Sequence, residues 1–136
     1  MFKVIWLLRR KEGITFEQFR EHYETSHSVI GQKYFGHLII DYKRNYNRLL
    51  ENGGAPVGHV SDWDCITEWI MPNQEALEET GRLLKDPVIG AIFDEDEEKF
   101  LMEGGSRMHI CDMRDTGPGD GAETLKIFAE REKAAH

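Results

Sequence analysis

Cysteine, basic charge and long apolar runs are all scarce in this chain, and each shortage removes a class of function. Only two cysteines occur in 136 residues, Cys65 and Cys111, both in segments predicted as strands. With no export signal beside them they read as buried thiols in a reducing compartment, which predicts a cytoplasmic protein. A disulfide requires those two strands to be neighbours. Lysine and arginine total 17 against 25 acidic residues, a net charge of −8. Such a surface argues against nucleic acid as partner, because phosphate contacts need concentrated positive charge. The one basic cluster, Arg9-Arg10-Lys11, follows a predicted strand and reads as a solvated turn. No apolar run approaches the roughly 20 residues of a membrane helix. Val4 to Leu8 is too short for the core of a secretion signal, and its basic residues follow it instead of preceding it.

Cofactor signatures are missing as well. There is no glycine-rich dinucleotide fingerprint, no phosphate-binding P-loop, no HExxH and no nucleophile elbow. These absences predict a protein without a bound cofactor. His22 and His27 are five residues apart, a poor spacing for two ligands of one metal on a regular helix. A metal site would need histidines converging from this helix, His37, His59 and His109.

What is present centres on residues 13–30, GITFEQFREHYETSHSVI. Thr15 is a good helix N-cap, and Gln18 three residues on completes a capping box. Phe16, Phe19, Tyr23 and His27 follow at helical spacing and draw one stripe along a helix predicted from Thr15 to Ser28. The stripe is aromatic until its last member, the side chain whose ordinary pKa lies nearest neutrality. An imidazole one turn beyond a phenol reads as the polar end of a pocket. The plainer alternative is a helix C-terminal cap favoured by the dipole.

The remaining elements alternate around that helix. Phe2 to Leu8 reads as a buried strand. A second strand starts at Leu38 in LIIDYKRNYN, and a loop spans Glu51 to Asp62. The third strand, Trp63 to Met71, puts Trp63, Cys65, Thr67, Trp69 and Met71 on one face and Asp64, Ile66, Glu68 and Ile70 on the other. Neither face is purely polar, so both are expected to be covered. Asn73 caps a second helix that Asp86-Pro87 ends, and Val88 to Phe93 is a short apolar segment. Asp94 to Glu98, DEDEE, reads as the solvated acidic start of another helical turn. Gly104-Gly105 reads as a turn into a last strand, Met108 to Met113. After the linker TGPGDG, Ala122 to Ala135 is a weakly amphipathic helix expected to dock on the body or on a partner subunit.

The order β-α-β-β-α-β predicts an α+β, ferredoxin-like domain over residues 1–115, with helices on one face of an antiparallel sheet, and a linker and helix over 116–136. The bare face of such a sheet is most simply buried against an identical sheet, which predicts a homodimer.

Phe19-x-x-x-Tyr23-x-x-x-His27, Tyr42-Lys43-Arg44-Asn45-Tyr46, Asp64 followed by Glu68, and Asp96-Glu97-x-x-Phe100 occur in this order along residues 3–113. Together they resemble the EthD-like family of dimeric α+β barrels. The resemblance implies a pocket between helices and sheet, holding a histidine with a phenol or carboxylate. It does not imply one reaction. Related proteins include dehydratases, decarboxylases, cofactor-free monooxygenases, polyketide cyclases and haem-degrading enzymes, and the role of the family's namesake allows a non-catalytic binding protein.

His27 suits a general base, and Tyr23 a donor to a developing oxyanion. Glu68 or Asp96 suits the group that orients the imidazole or acts as a second acid. Trp6, Phe19, Tyr42, Trp69 and Phe93 suit the walls of a substrate pocket. This equipment predicts a cofactor-independent lyase, a dehydratase or decarboxylase, or an isomerase. Its substrate would be a small, apolar, oxygenated compound, aromatic in the simplest case. A cofactor-free oxygenase of a phenol and a binding protein without turnover are the alternatives.

Overall fold

A computed structural model describes residues 1–47, 63–117 and 121–135. The predicted loop from Glu51 to Asp62, with His59, lies outside the described residues. Four antiparallel strands form one sheet in the order β2-β3-β1-β4, where β1 is Phe2–Arg10, β2 Asp41–Tyr46, β3 Cys65–Met71 and β4 Leu101–Asp112. The helices between the strands lie on one face, as the ferredoxin-like plan requires. No described helix is long and apolar enough to cross a membrane.

The first helix is longer than its sequence suggests. It begins as α1, Phe16–His22, with the Thr15–Gln18 capping box formed in both directions. It then widens into a π-helical turn, Tyr23–His27, and continues as α2, Ser28–Phe35. Backbone angles stay right-handed helical through both junctions, so the expected end at Ser28 is not an end. Val29 and Ile30 are β-branched and Gly31 is a weak helix former, yet Gly31 and Phe35 bury this last stretch against the sheet. The second strand accordingly starts at Asp41, three residues later than expected, because Leu38 belongs to a short 3-10 turn.

Helix α3, Gln74–Leu84, is capped by the Asn73 side chain as predicted. Asp86-Pro87 ends it and also starts the next helix, since Asp86 accepts from the backbone of Val88 and Ile89 with Pro87 in the first turn. Helix α4 runs unbroken over Pro87–Glu97. The DEDEE segment is therefore a helix C-terminus, the end that disfavours acid, and not the solvated N-terminus the sequence suggests. Gly104-Gly105 is likewise no turn. It lies inside β4, where the β1–β4 register shifts between Leu8 and Arg10. Gly104 has φ +70°, and a Cβ on Gly105 would meet the Arg9 carbonyl at 2.9 Å, so the pair makes a β-bulge that only glycine fits.

Alternation along the strands sends Val4, Leu8, Cys65, Thr67, Trp69 and Met71 under the helices, where all are buried. Two aromatic-rich clusters form there, one around Phe19, Tyr23 and Phe100, the other around Phe35 and Trp69. Trp6 and Tyr42 touch both. The opposite face carries Ile5, Leu7, Ile66 and Ile70 around a Lys3–Glu68 ion pair of 2.8 Å. Cys65 and Cys111 are both free; β3 and β4 flank β1 on opposite sides, so the neighbouring strands a disulfide needs are not neighbours. Helix α5, Gly121–Ala135, forms, but Leu125, Ile127 and Phe128 are exposed, so its apolar side is not docked on the body.

Candidate active site

A cavity of about 130 Å³ opens where the π-helical turn faces the sheet and α4. In a regular helix His22 and His27 would point about 140° apart, at 100° per residue. The π turn wraps one extra residue, marked by the Ser28 N–H bonding the Tyr23 carbonyl, and brings both imidazoles to one side. There they share a single carboxylate. Asp96 accepts from His27 Nδ1 at 2.9 Å through one oxygen, and from His22 Nε2 at 3.1 Å and the Ser26 hydroxyl at 2.7 Å through the other. The bidentate Arg44–Glu24 pair and a 2.6 Å bond from Tyr46 to Glu24 fasten the same turn to β2.

Burial works against charge on Asp96, but its hydrogen bonds from Ser26 and His27 and the nearby imidazoles outweigh it, so the carboxyl stays below its usual range. An ionised carboxylate only accepts, so His27 carries its proton on Nδ1. Nε2 has no hydrogen-bond partner among the described residues and is the nitrogen left for the cavity. Burial lowers the His27 pKa below its ordinary 6.5, and the Asp96 hydrogen bond resists that shift only in part. At neutral pH the ring is thus a neutral base, 8% exposed and packed among Tyr23, Phe93 and Phe100.

A line of hydroxyls shares the cavity with the imidazole. Tyr23 bonds Thr67 at 2.5 Å and Tyr42 at 3.1 Å. Burial pushes the Tyr23 phenol well above its usual pKa and Tyr42 up to about 12, so both stay protonated and serve as donors, not bases.

Trp6, Tyr23, His27, Tyr42, Trp69 and Phe93, all singled out from the sequence, line this cavity together. Asp96 stands behind His27. Phe19 does not reach the cavity; it is fully buried in the core behind Tyr23, stacked near Phe100. Glu68 lies on the opposite face of the sheet, held by Lys3 and Asn45, because the period-two alternation that sends Thr67 and Trp69 inward sends Glu68 outward. Neither residue can meet a ligand in this cavity. Among the described residues no group of three His, Cys, Asp or Glu side chains is arranged to hold a metal ion; His22, His27 and Asp96 meet through hydrogen bonds.

The chain matches the EthD domain family over residues 11–103. It belongs to the EthD family. A search of curated proteins finds no match to it. Among solved structures it is similar to an EthD family protein from Bacillus halodurans, with 23% identity over 84% of this chain and 99% of that one at a TM-score of 0.58. An EthD-like protein from Ralstonia eutropha gives 15% identity over 86% and 95% at 0.60. HapK from Hahella chejuensis gives 7% over 89% and 100% at 0.55. At these identities the EthD structures establish the fold, not a reaction.

Three groups of this EthD chain escaped the sequence reading. Gly31 and Thr67 line the cavity, the first looking like a helix breaker and the second like an ordinary strand residue. Glu97 lines it too, read as part of a solvated cap. Burial, then Asp94 and Asp96, push its carboxyl up to about 7. The signal was the position of five acids after an apolar helical run rather than before one. Raised from an ordinary 4.5, the group weakens the fold above pH 7 and ceases to do so as it takes up a proton. Glu97→Gln is therefore expected to stabilise the fold at pH 8 by about 1–2 kcal/mol, solvent screening allowed for. Most of that gain should vanish by pH 5 in paired urea titrations.

Proposed function

We propose that this EthD protein is a cofactor-independent acid–base enzyme, a lyase or isomerase acting on a small apolar oxygenated compound, in the simplest case aromatic. One observation carries the reading: a buried histidine, fixed through Nδ1 by an ionised carboxylate, leaves Nε2 unpartnered beside an apolar cavity that also holds phenolic donors. His27 Nε2 takes a proton from carbon next to a carbonyl. The oxygen gains charge and is met by a phenolic O–H. The imidazolium, held by Asp96, then returns the proton to a departing hydroxide as water, or to another carbon in an isomerisation. In loss of carbon dioxide from a β-keto or phenolic acid, His27 Nε2 takes the carboxyl proton, the carbon–carboxyl bond breaks, and the imidazolium returns that proton to the carbon that carbon dioxide has left.

His27→Gln keeps a polar side chain of similar reach and removes the base. Turnover should fall about a hundred- to ten-thousandfold with the thermal transition little changed. The wild-type rate should fall as pH drops through a value below 6.5, where His27 protonates, and product should form equally under nitrogen. A rate indifferent to His27 ends the proposal. A cytoplasmic setting fits the two free thiols.

We also propose a homodimer built on the helix-free face, where Ile5, Leu7, Ile66 and Ile70 form a partly exposed apolar stripe. Light scattering should return twice the 15.8 kDa chain mass, and Ile66→Glu should return it once. A wild-type monomer would sink the assembly and leave the cavity chemistry untouched.

A further inference from the structure

The cavity wall has a polar defect. Among the described residues, the Trp69 indole nitrogen is the buried side-chain polar atom without a hydrogen-bond partner. Trp69 is 4% exposed and lines the cavity. Buried N–H groups in folded proteins are nearly always paired, with protein, water or ligand. The indole N–H lies near enough to the Tyr42 oxygen to favour its phenolate slightly, but it makes no hydrogen bond to it.

Its direction follows from Gly31. A methyl built there would lie 3.4 Å from the Tyr42 hydroxyl and 3.7 Å from Trp69 Cζ2, whose ring neighbour carries the nitrogen. The nitrogen-bearing edge of the indole and the phenol oxygen therefore converge on a corner left open because residue 31 has no side chain. Glycine inside a helix is unfavourable relative to alanine, so the open corner is maintained against local propensity. Tyr42 brings a second donor. Its oxygen can accept from Tyr23, which in turn accepts from Thr67, and the Tyr42 proton is then directed out of the chain of hydroxyls.

The opening has the opposite character. Asp94 and Glu97 line both this cavity and a wider groove outside it, where Glu12, Glu98 and Glu103 outnumber Lys11. An anionic ligand meets this field unfavourably and loses water without gaining a cation. The cavity volume is close to that of an engineered apolar cavity of about 150 Å³ that binds benzene.

We propose that the Gly31 corner is an acceptor-oxygen subsite. The cavity takes an uncharged carbonyl compound of about one ring, its oxygen received by Trp69 Nε1–H and the Tyr42 hydroxyl, and it discriminates against carboxylates. This rests on the acid–base reading and narrows it to dehydration or isomerisation of neutral ketones and aldehydes.

The test follows the three indole N–H signals of the ¹⁵N-labelled full chain by NMR, with acetophenone, ethylbenzene and benzoate as probes. The Trp69 signal is assigned by Trp69→Phe, or by elimination with Trp6→Phe and Trp63→Phe if that variant does not fold. Acetophenone should move the Trp69 signal downfield and saturate. Ethylbenzene, with no acceptor, should bind at least about fivefold more weakly, the value of one hydrogen bond, and give no downfield shift. Benzoate should bind more weakly still. Gly31→Ala should keep the fold and weaken acetophenone at least about tenfold by filling the corner.

A Trp69 signal unmoved by millimolar acetophenone overturns the subsite, and means that water alone satisfies the N–H. Benzoate binding as well as acetophenone overturns the preference for neutral ligands. A moved Trp69 signal with turnover indifferent to His27 keeps the subsite and sinks the catalysis. Dependence on His27 with an unmoved signal does the reverse.

Discussion

Asp96→Ala is expected to destabilise the fold by about 2–4 kcal/mol and to lower turnover at least a hundredfold. The carboxylate is 4% exposed and accepts from three side chains, Ser26 and His27 on the π-helical turn and His22 just before it. Removing it leaves two imidazoles and a hydroxyl short of an acceptor, and losing one partner of a buried charge-assisted bond costs more than the bond contributes net. The catalytic loss has a separate origin. Without the acceptor at Nδ1, His27 is free to move its proton to Nε2, and the burial that lowers its pKa acts unopposed. Asp96→Asn separates the two effects. Its amide oxygen still accepts one of the bonds, so stability should fall by only about half as much, while the loss of charge removes the fixed tautomer and most of the rate. Urea titrations and a pH–rate profile check this pair. Acid should mimic the mutation. His27 has a folded pKa below its unfolded value and Asp96 does too, so in both cases the unfolded chain binds protons first. Stability should therefore decline as pH falls below about 6.5 through His27. It should decline again below the ordinary carboxylate range through Asp96.

The contrast between Asp96 and Glu68 shows where sequence stops informing. Glu68 stands in an apolar strand and Asp96 in an acidic run, and both suited the role of orienting His27. For β3 the alternation was legible but not its sense, because Cys65, Thr67, Trp69 and Met71 on one face and Ile66 and Ile70 on the other are equally fit for burial. Only the placement of the helices decides that Thr67 faces the cavity and Glu68 meets Lys3. The aromatic stripe was legible because Phe19, Tyr23 and His27 obey a local period and the Thr15 cap fixes where the helix begins. The π turn was not, since one extra residue in a helix leaves no periodic mark, and with it went the pairing of His22 and His27 on one carboxylate. The acidic run at the end of α4 misled for a related reason. Local electrostatics favours those residues at a helix start, but holding Asp96 opposite the π turn requires them at the end, and the raised Glu97 carboxyl is a consequence of that conflict.

Phe100→Ala carries the other large expected effect, about 3–5 kcal/mol of stability, with a readout that a purely structural residue would not give. Phe100 is fully buried, and its ring lies 4.8 Å from that of His27, 4.9 Å from His22 and 5.5 Å from Phe19. Emptying that volume opens a cavity against the aromatic cluster, the usual source of losses of this size. It also lets water reach the imidazole from behind. Burial is the main cause of the lowered His27 pKa, and Asp96 pulls the other way. Hydrating the ring while leaving Asp96 in place should therefore raise the His27 pKa towards or above 6.5, and the acid limb of the rate profile should move up with it. Phe100→Leu keeps most of the volume and should hold both stability, to within about 1.5 kcal/mol, and the titration. The His27 ring signals in NMR report the pKa without any substrate. An alanine variant that is destabilised but titrates like the wild type would mean that Phe100 only fills space. The low pKa of His27 would then have to arise from the cavity side, from Tyr23 and Phe93.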